Sequence, residues 1–131
     1  MVYFYINLIG HLAGSVLLLL IIMRFVSNNR QHKNKKGIAF LLPVFVTVIF
    51  LIQVMSFSVP RVLDSVSIIK NSYSTVTGHV ESVGLLNNAM KVDGKTYYYN
   101  PFLYNPQVGD LLEISYTPYA HYVADLTALP W

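Results

Sequence analysis

RFVSNNRQHKNKK, residues 24–36, decides how the rest of the chain is read. It holds five cations, Arg24, Arg30, Lys33, Lys35 and Lys36, with no acid, and it separates two apolar runs. Residues 1–23, MVYFYINLIGHLAGSVLLLLIIM, and residues 37–59, GIAFLLPVFVTVIFLIQVMSFSV, contain no Lys, Arg, Asp or Glu. At about 1.5 Å rise per residue, a helix of either length covers about 34 Å, enough to cross a hydrocarbon core of roughly 30 Å. A Lys or Arg at the centre of such a span costs about 2.5–3.5 kcal/mol. The basic segment therefore stays out of lipid, as a cytoplasmic loop, and the positive-inside rule sends both termini to the extracytoplasmic side. The first run does not read as a cleaved signal sequence, because its cations follow the apolar stretch and no small-x-small site succeeds it.

Composition supports that partition. Of 131 residues, 54% are hydrophobic and only 11% charged, with a mean hydropathy of +0.49. Soluble domains carry about 25% charge, so an ordinary soluble globule is excluded. A sequence pI near 9.2 would suit a nucleic-acid binder, but the charge is divided. Residues 1–60 carry five bases and no acid. Residues 61–131 carry four bases against six acids, net −2. No basic groove for nucleic acid follows from that half. The absence of cysteine excludes disulfides, thiolate-bound zinc, iron–sulfur clusters and thiol catalysis.

Within the first span, Gly10 and Gly14 form a Gly-x-x-x-Gly pattern flanked by Ala13 and Ser15, a helix-packing face for the second span or for a second copy of the chain. His11 lies beside it. An ionisable group inside a span is a functional candidate, but a neutral imidazole bonded to a neighbouring hydroxyl or to water is the simpler reading. Pro43, six residues into the second run, is a tolerated kink.

Past the second run the period changes. Val59, Val62, Leu63, Val66, Ile69 and Tyr73 follow helical spacing, with Pro60 at the helix start and Asp64 in the first turn. Residues 60–71 read as a short juxtamembrane amphipathic helix, its stripe lying on the membrane or covering the β module. From residue 72 to 131 the pattern alternates. Val76, Gly78 and Val80 oppose Thr77, His79 and Glu81 in a half-buried strand. Val92-Asp93-Gly94-Lys95 carries an Asp-Gly pair that demands a two-residue type I′ hairpin. If Val92 faces Lys95, then Met90 faces Tyr97 and Ala89 faces Tyr98. Met90, Val92, Tyr97 and Tyr99 then share the core face, and Tyr98 points away. Asn100-Pro101 and Asn105-Pro106 mark a loop, Val108-Gly109-Asp110 a turn, and residues 111–116 and 121–126 two more strands. The fold class is membrane α plus β: a two-helix transmembrane hairpin (1–59), the helix at 60–71, and an extracytoplasmic, five-stranded OB- or SH3-like barrel (72–131).

Gly78-His79-Val80-Glu81-Ser82-Val83, Val92-Asp93-Gly94-Lys95-Thr96-Tyr97, Val108-Gly109-Asp110 and Tyr116-Thr117-Pro118 occur in that order. The order resembles a widespread family of bacterial membrane-anchored small β domains of uncharacterised function, over residues 73–126. The resemblance implies a small β barrel on a transmembrane anchor and brings no catalytic residues. After Pro118 the chain departs from the family pattern, with Tyr119-Ala120-His121-Tyr122 in place of a polar turn.

His79 and Glu81 share a strand face, and with His121 or Asp125 they could serve a metal-dependent or acid–base membrane enzyme. No standard ligand spacing, nucleophile elbow or phosphate loop accompanies them. No cofactor or metal is expected, and a solvated strand face accounts for His79 and Glu81 without catalysis. The tyrosines are more telling. Tyr97, Tyr98, Tyr99, Phe102, Tyr104, Tyr116, Tyr119, Tyr122 and Trp131 crowd the second half. Those beyond the core's needs, Tyr98, Phe102, Tyr104, Tyr119 and Tyr122, are expected on loops and outer faces. There they bind a protein partner or sit among lipid headgroups. The expected protein is a small non-enzymatic membrane protein whose β module binds an envelope partner, as an accessory subunit or a toxin-immunity factor does.

Overall fold

The computed structural model describes residues 1–33 and 37–130, so Lys35, Lys36 and Trp131 lie outside the described residues. The chain divides into two units, Ile6–Pro60 and Met1–Tyr5 with Arg61–Trp131.

Helix α1 covers Val2–Arg30 and runs through Arg24 into the segment expected as loop. Arg30 thereby falls in its last turn, where a cation complements the partial negative charge of a helix C-terminus, and Arg24 lies within the helix six residues earlier. The helix closes on a left-handed His32 (φ 51°), with Lys33 N donating to Asn28 O at 3.1 Å and His32 N to Asn29 O at 3.2 Å. After a 3-10 turn at Gly37–Phe40 come α2, Leu42–Gln53, a π-helical turn at Val54–Ser58, and α3, Val59–Ile69. Pro43 sits in the first turn of α2, where its missing N–H costs nothing, rather than at a kink. Pro60 does not interrupt the chain's path either: Gly37–Ile69 runs as one apolar helical rod of 33 residues. A proline inside a helix lacks a donor and presses its ring on the carbonyl four residues back. The π turn relieves this by widening the ladder just ahead of Pro60, with Val59 N donating to Val54 O. Val2–Arg30 and Gly37–Ile69 are both long and apolar enough to cross a membrane.

In the helical unit, the α1 face that meets the rod is polar. Gln53 Nε2 lies 3.0 Å from His11 Nδ1, the His11 ring stacks on Phe57 at 5.5 Å, and the hydroxyls of Ser15 and Ser58 are 3.1 Å apart. Ser15 also donates to the His11 carbonyl. His11 thus takes the Gln53 amide as a partner. A Cβ on Gly14 would stand 4.0 Å from Gln53, whereas one on Gly10 would meet open space. Within one chain, the α1 face that meets the second helix is therefore His11, Gly14 and Ser15, and Gly10 lies off it.

The other unit holds a five-stranded antiparallel sheet: β1 Ser74–Val83, β2 Ala89–Val92, β3 Lys95–Tyr98, β4 Leu111–Tyr116 and β5 Val123–Ala128, in the order β3-β2-β1-β4-β5. The long β1 pairs with β4 through its first half and with β2 through its second, changing register at a bulge between Val80 and Ser82. The sheet is not a closed barrel. Its edge strands meet in one parallel bridge, Tyr98 to Tyr122, with Tyr98 N donating to His121 O at 3.0 Å. Closure stops there because β3 runs into Asn100-Pro101, and β5 begins only after His121, whose φ is +51°.

The hairpin register follows the Asp-Gly turn: Val92 pairs with Lys95, Met90 with Tyr97 and Ala89 with Tyr98. Asp93 and Gly94 have φ of +48° and +74°, the two left-handed positions of a type I′ turn. Val80, Met90, Val92, Tyr97, Tyr99, Leu112, Ile114 and Val123 form the core, with Val76, Tyr104 and Leu126 packed at its margin. Tyr98 faces out.

Candidate partner-binding surface

Helix α3 has an apolar side and a polar side, and the polar side is the buried one. Asp64 is fully buried and Ile68 nearly so, with Arg61 and Ser65 half-buried on the same face. Val62, Leu63, Val66 and Ile69 are exposed, between 43% and 76%. Spacing alone left that stripe either on the membrane or covering the β module, and in the structure it does not cover the module. Its exposure follows from the contacts of Asp64, whose carboxylate accepts the backbone N–H of Tyr119 at 3.0 Å and of Ala120 at 2.6 Å. A carboxylate satisfied by two amides is stable out of water, and rotating α3 to bury the valines would strand all three groups. Arg61, one turn earlier, lays its guanidinium 5.8 Å from the centre of the Tyr98 ring.

The same contacts position the loop between β4 and β5. Thr117 is buried and exchanges bonds with Tyr122, Thr117 N to Tyr122 O and Tyr122 N to Thr117 Oγ1, both at 2.9 Å. Tyr119 projects from this loop and is 56% exposed. Tyr98, Tyr119 and the α3 stripe thus belong to one assembly organised by Arg61 and Asp64.

The other three expected surface aromatics divide. Tyr122 is buried, its ring 5.1 Å from that of the fully buried Phe4 in the first turn of α1. Burial, then the neighbouring Tyr3 and Tyr104, push the Tyr122 hydroxyl up to about 12. It is a core residue and not a contact surface. Tyr104 packs at the core margin, with its hydroxyl 3.5 Å from Asp125 Oδ1, and burial followed by that carboxylate raises its pKa. Phe102 is 87% exposed, at the tip of the β3–β4 loop.

His79, Glu81 and His121 are each engaged separately. His79 Nδ1 lies 3.1 Å from Gly109 O, Glu81 Oε1 accepts Gly94 N at 2.9 Å, and the His121 ring sits 5.6 Å from both Tyr97 and Tyr116. Among the described residues no three His, Asp or Glu side chains converge as metal ligands would. His79 and Glu81 hold turns: the Gly109 turn and the Asp93-Gly94 turn. A shallow polar depression on the outer sheet face is lined by Thr75, Glu113, Ser115, Asp125 and Thr127.

Sequence reading missed Asp64 as the loop's anchor, and it missed Gln53 and Ser58 as partners of His11 and Ser15. One signal was available for Asp64: it is the only acid within α3, whose other residues are Val, Leu, Ile and Ser with Pro60 and Arg61. A lone carboxylate there needs a specific partner. Comparison with protein-family models, curated proteins and solved structures gives no match.

Proposed function

We propose that this chain is a small integral membrane protein whose two helices span the bilayer, with Arg24, Arg30, Lys33, Lys35 and Lys36 on the cytoplasmic side and both termini outside. Its α3 stripe, flanked by Tyr98 and Tyr119, binds a helix of another membrane or envelope protein. The reading fits an accessory subunit or an immunity factor that occludes its target, and it assigns no catalysis. The β module is read as an OB-like arrangement: β1 pairs with both β2 and β4, and β3 approaches β5 in parallel, the connectivity of that partly open barrel.

The observation that carries the proposal is the exposed apolar stripe of α3: Val62, Leu63, Val66 and Ile69 stay uncovered while Asp64 and Ile68 on the opposite face are buried. An exposed, uncharged row of Val, Leu and Ile on a folded module calls for a protein partner. A second copy of the chain is one such partner.

Photocrosslinkers placed at Val66 and at Tyr119 in cells should capture one common protein, and a crosslinker at Lys91 should not. Val62→Ser with Leu63→Ser should abolish capture without lowering abundance, because both side chains are exposed. Equal capture from Lys91, or capture indifferent to the serine pair, counts against the surface. Release of the chain from membranes by alkaline carbonate counts against the spans.

A further inference from the structure

The sheet leaves one side of β5 open. Tyr122, just ahead of the strand, bridges to Tyr98, and beyond that bridge β5 pairs with β4 alone among the described residues. Such an edge carries a row of main-chain donors and acceptors that another strand can complete. Which of them face outward follows from one bond. Leu129 N donates to Leu111 O at 2.9 Å, so position 129 faces β4. Main-chain groups alternate in side along an antiparallel strand. Asp125 and Thr127 therefore face β4 too, opposite Ser115 and Glu113, and Leu126, Ala128 and Pro130 face outward. Two of those three positions offer no donor to an incoming strand. The Leu126 N–H donates to Oδ1 of the preceding Asp125 at 2.9 Å, and Pro130 has no N–H at all.

Asp125 is the only Asp, Glu, Lys or Arg after Glu113. The Tyr104 hydroxyl approaches the same Oδ1 at 3.5 Å, so the carboxylate lies along the edge between two donors. The pairing of β5 with β4 uses main-chain groups and needs neither contact. The other edge strand requires no such device: β3 is four residues long, and the Tyr98 N–H is already taken up by His121 O. Without Asp125 and Pro130, β5 is self-complementary, because two copies set antiparallel about a two-fold axis continue the ladder from one module into the next. With Asp125 in place, the central outward donor is occupied. The two carboxylates of such a pair also fall on one face close to the axis, where like charges repel. We infer that Asp125, seconded by Pro130, is an edge guard that keeps β5 from adding the β5 strand of a second copy. The inference rests neither on the membrane reading nor on the α3 surface.

The chain has no cysteine, so Thr127→Cys, at an exposed position of β5, reports contact between two copies through a short bismaleimide. The full chain is studied in detergent, with Val62→Ser and Leu63→Ser present throughout to remove association through α3. Adding Asp125→Ala should raise the crosslinked dimer severalfold, whereas Lys95→Cys in place of Thr127→Cys should give no rise. Asp125→Asn keeps an oxygen that accepts the Leu126 N–H and should stay near the level of the parent. Unchanged crosslinking in Asp125→Ala, with β-sheet circular dichroism intact, overturns the guard. An equal rise in the Asn and Ala variants overturns the role of the capping bond, and a rise at Lys95→Cys means general aggregation, which overturns it as well. Hydrogen exchange on the unsubstituted chain tests the bond even if Asp125→Ala does not fold. The Leu126 amide should exchange severalfold more slowly than that of Ala128, and equal rates overturn the inference.

Discussion

Replacing Asp64 tests the account of α3 most directly, because its carboxylate bonds the tip of the β4–β5 loop, at Tyr119 and Ala120, to the helix. Asp64→Ala leaves the N–H groups of Tyr119 and Ala120 without their acceptor, in a place where Asp64 itself is fully buried. Each stranded donor costs about 1–3 kcal/mol, so the pair implies a loss of about 2–6 kcal/mol. A unit of this size has a total stability of roughly 4–10 kcal/mol at about 0.05–0.15 kcal/mol per residue. The alanine variant therefore loses a large fraction of it. At about 4–8 °C per kcal/mol for small domains, the midpoint of thermal unfolding falls by 10 °C or more. Asp64→Asn keeps the shape and one acceptor oxygen but gives up the charge, and should fall between wild type and alanine. The assay is hydrogen exchange by mass spectrometry on the chain in detergent, read on peptides covering residues 117–122, together with thermal unfolding followed by tyrosine near-ultraviolet dichroism. Protection at residues 119–120 should vanish in Asp64→Ala while the β2–β3 hairpin stays protected. Unchanged exchange and an unchanged midpoint would falsify the idea that the carboxylate sets the orientation of α3.

Two further outcomes follow from the core. Tyr122 has a folded-state pKa raised to about 12 against about 10 unfolded, so its neutral form is the one the fold favours. That contribution is fully present below pH 10 and is lost as pH climbs from about 10 to 12, up to about 2–3 kcal/mol. Alkaline titration of tyrosinate absorbance should show a late component that Tyr122→Phe removes, and its persistence in that variant would assign it elsewhere. Gly78 lies beneath the hairpin turn: a Cβ there would stand 2.6 Å from Val92 Cγ1 and 2.8 Å from Asp93 Oδ2. Gly78→Ala should destabilise the module by about 1–3 kcal/mol through overpacking. Gly84→Ala, whose Cβ would have 3.4 Å to its nearest neighbour, should cost less; equal denaturation midpoints for the two would remove the steric argument.

The β unit was legible where local chemistry and pattern agree. Asp93-Gly94 set the hairpin, the hairpin set the register, and the register put Met90, Val92, Tyr97 and Tyr99 in the core. Tyr122 was not legible, because its burial depends on Phe4, more than a hundred positions away in a segment assigned by hydropathy to a span. Barrel closure was overestimated because turn signals report where strands end and not whether edge strands meet. Pro60 was read as a boundary because a proline normally breaks the ladder. A single π turn cancels that break, and nothing in residues 54–58 announces it.

The orientation of α3 is the instructive case. Apolar periodicity predicts which residues share a helix face, and Val62, Leu63, Val66 and Ile69 do. It does not predict which way that face turns when a stronger local demand competes. Burying four such side chains is worth about 1.5–3 kcal/mol each at full burial, yet the fold leaves them 43% to 76% exposed and buries a carboxylate instead. Under the proposed function, that forgone burial is recovered when a partner covers the stripe after folding. Asp64, by holding the polar face inward, would then keep the apolar side available to the interface without touching it. This also separates two phenotypes: Val62 and Leu63 variants should lose the partner and keep the fold, whereas an Asp64 variant should lose the fold's loop first and the partner in consequence.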